Sequence, residues 1–139
     1  MSNTPAVIER LVSATNAHDL NQLVDCFSPS YVNVTPAHPE RGFRGSAQVR
    51  RNWTTIFAAV PDIETRVVAS AVTDGGQVWT EWEMSGTRRD GAPHAMAGVI
   101  IFGVKEDRIV SARFYLEPVE TTTGDVNVNV QRLTHESRP

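Results

Sequence analysis

The chain has 139 residues, a hydrophobic content of 40% and a formal net charge of −3, which are ordinary values for a single globular domain. Lys105 is the only lysine, and the arginines cluster no further than the pairs Arg50-Arg51 and Arg88-Arg89, so nucleic-acid binding is disfavoured. Cys26 is the only cysteine, which excludes an internal disulfide and a thiolate metal cluster.

Membrane and export signals are lacking in the sequence. No apolar run approaches the roughly 18 residues of a membrane span. Residues 1–10 do not have the basic-then-apolar order of a signal peptide. The sequence therefore predicts a cytoplasmic location and no membrane partner.

Two amphipathic helices are predicted at the start of the chain. Pro5 suits a first helical turn, where its missing N–H costs nothing. Up to about Asn16, one face of the segment carries Val7, Ile8, Leu11, Val12 and Thr15. Asp19 then suits an N-cap with Gln22 three residues on. The second helix, which Ser28-Pro29 should end, carries Leu20, Leu23, Val24 and Phe27 at helical spacing.

The next segment alternates between strand, loop and helix signals. Tyr31–Thr35 is rich in β-branched and aromatic residues and predicts a short strand. Pro36–Gly45 has no apolar period and predicts a loop. Ser46 is expected to cap a third helix that ends before Pro61. The buried face of this helix should carry Val49, Trp53, Ile56, Phe57 and Val60.

A four-stranded antiparallel meander is predicted for the rest of the domain. Asp62–Thr73 reads as one long strand, and Gln77–Glu117 as three more. Glycine tolerates the positive φ of tight hairpins and aspartate starts such turns well. The turns are expected at Asp74-Gly75-Gly76, Arg88–Gly91 and Lys105–Arg108. The fold class is therefore α+β, with three N-terminal helices packed in the concave face of a curved, mainly antiparallel sheet.

The domain is expected to cover residues 1–118, with residues 119–139 as a C-terminal tail. This tail is polar, although Val126, Val128 and Val130 alternate with asparagines. Two interpretations stay open: a disordered tail, or an added edge strand or arm that contacts a second subunit.

Five motifs carry a resemblance to a known family: NAHDL, YVNVTP, AAVPD, VWTEWEMSGT and RFYLEP. In this order they resemble the SnoaL-like branch of the nuclear-transport-factor-2-like (NTF2-like) superfamily, over about residues 5–119. The resemblance implies a cone-shaped half-barrel with an apolar pocket between helices and sheet, and a homodimer formed through the outer sheet face. This superfamily contains isomerases, cyclases, hydrolases and non-catalytic binding modules, so the motifs indicate a fold and not a reaction.

The best-known catalytic residues of the superfamily are not matched. The positions of the ketosteroid isomerase residues hold Leu11, Thr35 and Gly98. The positions of the limonene epoxide hydrolase residues hold Trp82, Met84 and Phe114. None of these six side chains is an acid or a base at neutral pH, so neither mechanism is expected.

Candidate acid/base residues remain elsewhere. SnoaL-type cyclases use an acid/base aspartate with nearby histidines; this aspartate has no clear match in the chain, and Glu117 or a loop histidine could substitute for it. His38 lies in the loop TPAHPERG near the expected pocket rim, and His94 opens a strand. Each suits proton transfer near pH 7, and each could equally be a solvent-exposed residue. The histidines have no metal-ligand spacing, so no metal and no cofactor are expected.

Strand alternation predicts which residues face the pocket. The more apolar face of the meander, taken as inward, presents Trp82, Met84, Gly98, Ile100, Phe102, Phe114 and Leu116. Leu11, Trp53 and Phe57 should face them from the helices, with Asn33 and Thr35 as polar groups that orient a ligand. Glu81 and Glu83 then point outward; if the parity of the last strand were reversed, Tyr115 and Glu117 would form the polar end of the pocket.

The predicted function is the binding of a small, largely apolar organic molecule, such as a cyclic metabolite. Any catalysis would be cofactor-independent proton transfer, in an isomerisation, cyclisation or hydration. The alternative is a non-catalytic module for ligand binding or dimerisation. A titratable side chain in contact with the cavity would favour the enzyme.

Overall fold

The computed structural model describes residues 4–121 and 123–135, with four α-helices and six strands in this part of the chain. The helices are α1 (Ala6–Asn16), α2 (Leu20–Asp25), α3 (Ser46–Ala59) and α4 (Val126–His135). The strands are β1 (Phe27–Val34), β2 (Phe43–Arg44), β3 (Glu64–Val72), β4 (Gln77–Thr87), β5 (Pro93–Lys105) and β6 (Arg108–Pro118). None of the helices in the described residues is long and apolar enough to cross a membrane.

All six strands form one mixed sheet in the order β2-β1-β6-β5-β4-β3. The predicted meander β3–β6 is confirmed, and its three hairpin turns lie where the sequence places them. β1 joins the meander by parallel pairing with β6, and every other pair is antiparallel. The predicted α+β class and the mainly antiparallel sheet are therefore confirmed.

The second helix is shorter than its apolar spacing predicts. Asp19 caps it as expected, accepting the Gln22 N–H at 3.1 Å. α2 nevertheless ends at Asp25, and Phe27 and Ser28-Pro29 lie in β1. Phe27 pairs with Ile109 of β6, so a long-range strand contact overrides the local helical pattern. A register shift between Phe27 and Val32 in the same pairing accommodates the proline.

The segment predicted as a loop contains short regular structure. A 3-10 helix spans Pro39–Arg41, and β2 pairs with Val32 and Asn33 of β1. A strand of two residues is too short to give a periodic signal. The cap of α3 also differs from the prediction: Gly45 occupies the N-cap with φ 92°, and Ser46 is the first helical residue.

The edge-strand interpretation of the tail is wrong for residues 126–135, which form α4. Asp125 initiates this helix by accepting the Val128 N–H at 3.0 Å. The three alternating valines are 71%, 40% and 50% exposed, so their pattern does not reflect a buried strand face. Residues 136–139 and residue 122 lie outside the described residues. The domain boundary at residue 118 stays a prediction.

The inner face of the sheet is packed at one end and open at the other. At the packed end, the buried inward residues are Val78, Thr80 and Trp82 of β4, Ile100 and Phe102 of β5, and Ala112 of β6. This confirms the predicted parity of the three strands. α1 covers this end with Val7, Ile8, Leu11 and Ala14. The following inward residues of the same strands are only half-buried, and it is there that a cavity opens.

Candidate functional site

A cavity of about 440 Å³ lies between α3 and the open end of the sheet. Its floor is formed by the inward residues that follow the packed core, namely Met84 of β4, Met96 of β5, and Phe114 and Leu116 of β6. Its roof is α3 and the turn after it: Val49, Asn52, Trp53, Thr55, Ile56, Ala59, Val60 and Ile63. The volume lies within the roughly 300–1,000 Å³ of small-molecule sites.

Gly98 marks the boundary between the packed and the open end. It pairs with Trp82 on the core side of β4 and with Leu116 on the cavity side of β6. Its φ is 149°, and a Cβ at this position would clash with the backbone carbonyl of Tyr115. Only glycine therefore allows β5 and β6 to approach this closely.

A row of three polar side chains follows the inner face of β1 along the cavity wall. The Tyr31 hydroxyl donates to Asn33 Oδ1 at 2.7 Å, and Asn33 Nδ2 donates to Thr35 Oγ1 at 3.4 Å. All three residues are at least 92% buried and line the cavity. Burial raises the pKa of Tyr31 well above its ordinary value. The row therefore supplies neutral hydrogen-bonding groups inside an otherwise apolar pocket.

Three cationic or titratable side chains reach the cavity from its open side. Arg41 comes from the 3-10 helix, Arg88 from the β4–β5 turn, and His94 from the start of β5. His94 is half-buried and has the same parity as Met96, so it faces inward. The turn carrying Arg88 is tied to the end of α3 because Asp62 accepts the Thr87 N–H at 2.7 Å. That hydrogen bond lowers the pKa of the Asp62 carboxyl.

His38 and Glu117 form a hydrogen-bonded pair beside the cavity. His38 Nε2 lies 2.6 Å from Glu117 Oε2, and Arg41 Nη1 lies 3.8 Å from Glu117 Oε1. The pair thus brings together two of the three predicted acid/base residues. Neither His38 nor Glu117 is among the lining residues, whereas the third, His94, is. A catalytic role for any of them stays a prediction.

The predicted ligand-binding residues divide into two groups. Six of them line the cavity: Asn33, Thr35, Trp53, Met84, Phe114 and Leu116. The others do not line it, and lie in or against the packed core or, for Gly98, at its edge: Leu11, Phe57, Trp82, Gly98, Ile100 and Phe102. Trp82 is 2% exposed, donates from Nε1 to Thr80 Oγ1 at 2.6 Å, and packs edge-on against Phe102. It fills the core.

Several lining residues were not predicted. Tyr31 shares the parity of Asn33 and Thr35 on one strand, so the same alternation could have found it. Arg41 and Phe43 lie in the segment predicted as a loop, and Arg88 in a hairpin turn. Only the tertiary fold brings these three to the cavity, because no local pattern marks them.

The other polar features are structural or open to solvent. His18, at the α1–α2 turn with φ 55°, places Nε2 at 2.9 Å from the Ile63 carbonyl oxygen. Glu83, on the outer face, pairs with Arg66 at 2.7 Å. Both residues of this pair line a second groove of about 490 Å³, which is more polar than the cavity. Within the described residues, no three His, Cys, Asp or Glu side chains form a group that could hold a metal ion.

Comparison with known families identifies a domain family. A family model described as a SnoaL-like domain matches residues 8–112. None of the curated proteins matches this chain.

Solved structures share the fold. A ketosteroid-isomerase-like protein from Catenulispora acidiphila, in complex with trimethylamine, superposes with a TM-score of 0.69 at 17% identity, covering 81% of this chain and 87% of its own. An NTF2-like protein from Exiguobacterium gives 0.68 at 20% identity, covering 83% and 99%. A Mycobacterium tuberculosis protein in complex with estradiol-17β-hemisuccinate gives 0.68 at 15%, covering 79% and 90%.

Proposed function

Since this chain belongs to the SnoaL-like domain family, we propose that it binds a small, largely apolar organic molecule in the cavity between α3 and the sheet. The observation that carries the proposal is the cavity itself. It has about 440 Å³ of space, apolar walls, and the polar row Tyr31–Asn33–Thr35 on one side. An apolar body with one or two polar substituents is the complement of such a wall.

Two features distinguish this cavity from an imperfectly filled core. It opens to solvent between the loop after β1 and the β4–β5 turn, since exposed residues of both segments line it. Its polar groups are also spaced along one strand. The M. tuberculosis relative, which holds a steroid ester, supports the same class of ligand for this chain.

The test is a thermal-shift screen of steroid, terpenoid and aromatic compounds, followed by calorimetric titration of the hits. A ligand present at about 100 times its Kd should add roughly 2.7 kcal/mol of stability. Trp53→Ala removes a wall of the cavity and should weaken binding at least ten-fold, because it removes a large buried contact area. Trp79→Ala is the matched control, since Trp79 is 42% exposed and is not a lining residue.

If no compound of the panel shifted the melting temperature of the folded wild-type protein, the proposal would be contradicted. Ligands whose binding responds to Trp79→Ala and not to Trp53→Ala would contradict it as well. In either case the cavity would be a packing defect and the family membership would imply fold alone.

A second candidate function is proton transfer on the bound molecule, and the position of His94 favours it. This residue lines the cavity, and histidine is the side chain that most often serves as a general acid or base in catalysis. With a bound ligand that has an acidic C–H, incubation in D₂O should exchange that hydrogen in the wild type and not in His94→Gln. Exchange at equal rates in both proteins would leave the cavity as a binding site only.

The outer sheet face is the surface that we propose for homodimerisation. Trp79 is 42% exposed there, Tyr115 is 43% exposed, and the neighbouring Ile101 is 3% exposed. Trp79→Asp should therefore halve the mass measured by light scattering. A monomeric wild type at working concentration would overturn this proposal. The cytoplasmic location and the absence of nucleic-acid partners stay predictions.

A further inference from the structure

The charges around the cavity point to a narrower class of ligand. We infer that the pocket selects organic anions, each with an apolar body and a carboxylate that Arg41 and Arg88 hold at the mouth. This inference rests on the proposed binding function and names its ligand class.

In the part of the chain that the structure describes, the cavity lining contains basic side chains and no carboxylate. Arg41, Arg88 and His94 line the cavity, and none of the described lining residues is an aspartate or glutamate. The chain as a whole carries a formal charge of −3. The excess of basic side chains is therefore local to the cavity, and its charge is opposite in sign to the net charge of the protein. Such an arrangement attracts an anion to one place and does not attract anions to the surface in general.

Arg88 has an unused guanidinium. Its backbone joins the β4–β5 turn, where its N–H donates to the Ala92 carbonyl at 2.8 Å. Its side chain makes no hydrogen bond or ion pair with any other residue in the described part of the chain. The neighbouring Arg89 is different, because its Nε donates to the Ala58 carbonyl at the end of α3, and it does not line the cavity. One arginine of the pair is structural and the other is available.

Arg41 is only loosely paired. The nearest carboxylate oxygen, Glu117 Oε1, is 3.8 Å from its Nη1, beyond hydrogen-bond distance. The other oxygen of Glu117 is taken by His38 at 2.6 Å. A guanidinium has five N–H donors in a planar fork, so Arg41 keeps donors for a carboxylate of the ligand, and the planar geometry suits a two-point contact.

The apolar interior and the basic mouth of the cavity determine how an organic anion would be oriented in it. Trp53, Ile56, Met84 and Leu116 surround the interior with apolar surface, which suits a ring system or a branched chain. Arg41 and Arg88 belong to exposed segments on the open side. A carboxylate there stays partly hydrated, so its desolvation cost is small compared with that of a fully buried ion. The apolar body therefore enters first and the anion stays at the mouth.

The experiment compares two probes of the same size that differ by one charge, naphthalene-2-acetate and naphthalene-2-acetamide. Calorimetric titration of the wild type should show the acid binding about ten-fold more tightly than the amide, the effect of one charge-assisted hydrogen bond. Arg88→Gln and Arg41→Gln should each reduce the affinity for the acid several-fold and reduce that for the amide less, because the amide carbonyl accepts only a neutral hydrogen bond. Added salt should weaken binding of the acid alone.

Arg89→Gln is the control, because it removes the same charge one residue away from a side chain that does not line the cavity. Equal affinities for acid and amide, tighter binding of the amide, or no binding of the acid would overturn the inference. An equal loss in Arg89→Gln and Arg88→Gln would also overturn it. Neutral compounds that stabilise the protein in the thermal-shift screen would then still support the binding function. A screen in which no compound stabilises the protein would contradict both the binding function and the selection of anions.

Discussion

His38 Nε2 lies 2.6 Å from Glu117 Oε2, and this contact joins the loop after β1 to the end of the last meander strand. The two residues are 79 positions apart in the sequence. The loop between β1 and α3 carries Arg41 and Phe43 to the cavity. The pair therefore lies next to the segment that carries these two lining residues, and it helps to hold that segment in place.

Glu117→Gln should change the free energy of unfolding by less than about 1 kcal/mol, because a polar contact between two side chains that are both more than a third exposed contributes little. The side chains of His38 and Glu117 are 37% and 43% exposed. The same substitution removes the carboxylate that competes for Arg41, so naphthalene-2-acetate should bind about two-fold more tightly by calorimetry. Glu83→Gln, on the outer face, is the control. Weaker binding of the acid in Glu117→Gln would contradict the prediction.

Trp82→Ala should destabilise the fold by about 3–5 kcal/mol, since Trp82 is 2% exposed and its removal leaves a void in the core. Trp79→Ala, on the outer face of the same strand, should cost less than Trp82→Ala, because Trp79 is 42% exposed. Urea denaturation at one fixed protein concentration measures both values. If Trp82→Ala instead kept its stability and lost ligand, Trp82 would be part of the binding site after all.

The meander could be predicted because its signals are local. Aspartate and glycine mark the first two turns, and Asp107 marks the third, which has no glycine. Period-two alternation assigns a face to each side chain, and the burial of Thr80 and Ile100 at 1% and 2% confirms that assignment. The helices α1 and α3 follow in the same way from their apolar spacing.

The cavity could not be separated from the core by the same means. Trp82 and Met84 have the same parity and lie two positions apart, yet one fills the core and the other lines the cavity. The difference depends on which helix covers each position, and strand alternation carries no such information. The start of β1 at Phe27 has a similar cause, because it is fixed by pairing with Ile109 at the far end of the chain.

Gly98→Ala should destabilise the protein by about 2 kcal/mol or more, from backbone strain at φ 149° and from the clash of a Cβ with the Tyr115 carbonyl. Gly75→Ala is the matched control, because an added Cβ there meets only Thr73 Oγ1 at 3.9 Å. Thermal and urea unfolding compare the two. Equal stabilities would show that β5 and β6 can separate at this point, and the boundary between core and cavity would then not depend on Gly98.

Tyr31 should keep its proton as long as the fold persists, because burial raises its pKa above that of a tyrosine in the unfolded chain, about 10. The unfolded chain loses this proton first as pH rises, so stability falls with increasing pH above about 10. The chain has two tyrosines, and in Tyr115→Phe only Tyr31 remains. In that variant, phenolate absorbance and the loss of circular dichroism should appear together during an alkaline titration. Phenolate formation near pH 10 in a folded protein would mean that water reaches the Tyr31 hydroxyl, and the polar row would then be a wet surface and not a buried part of the cavity wall.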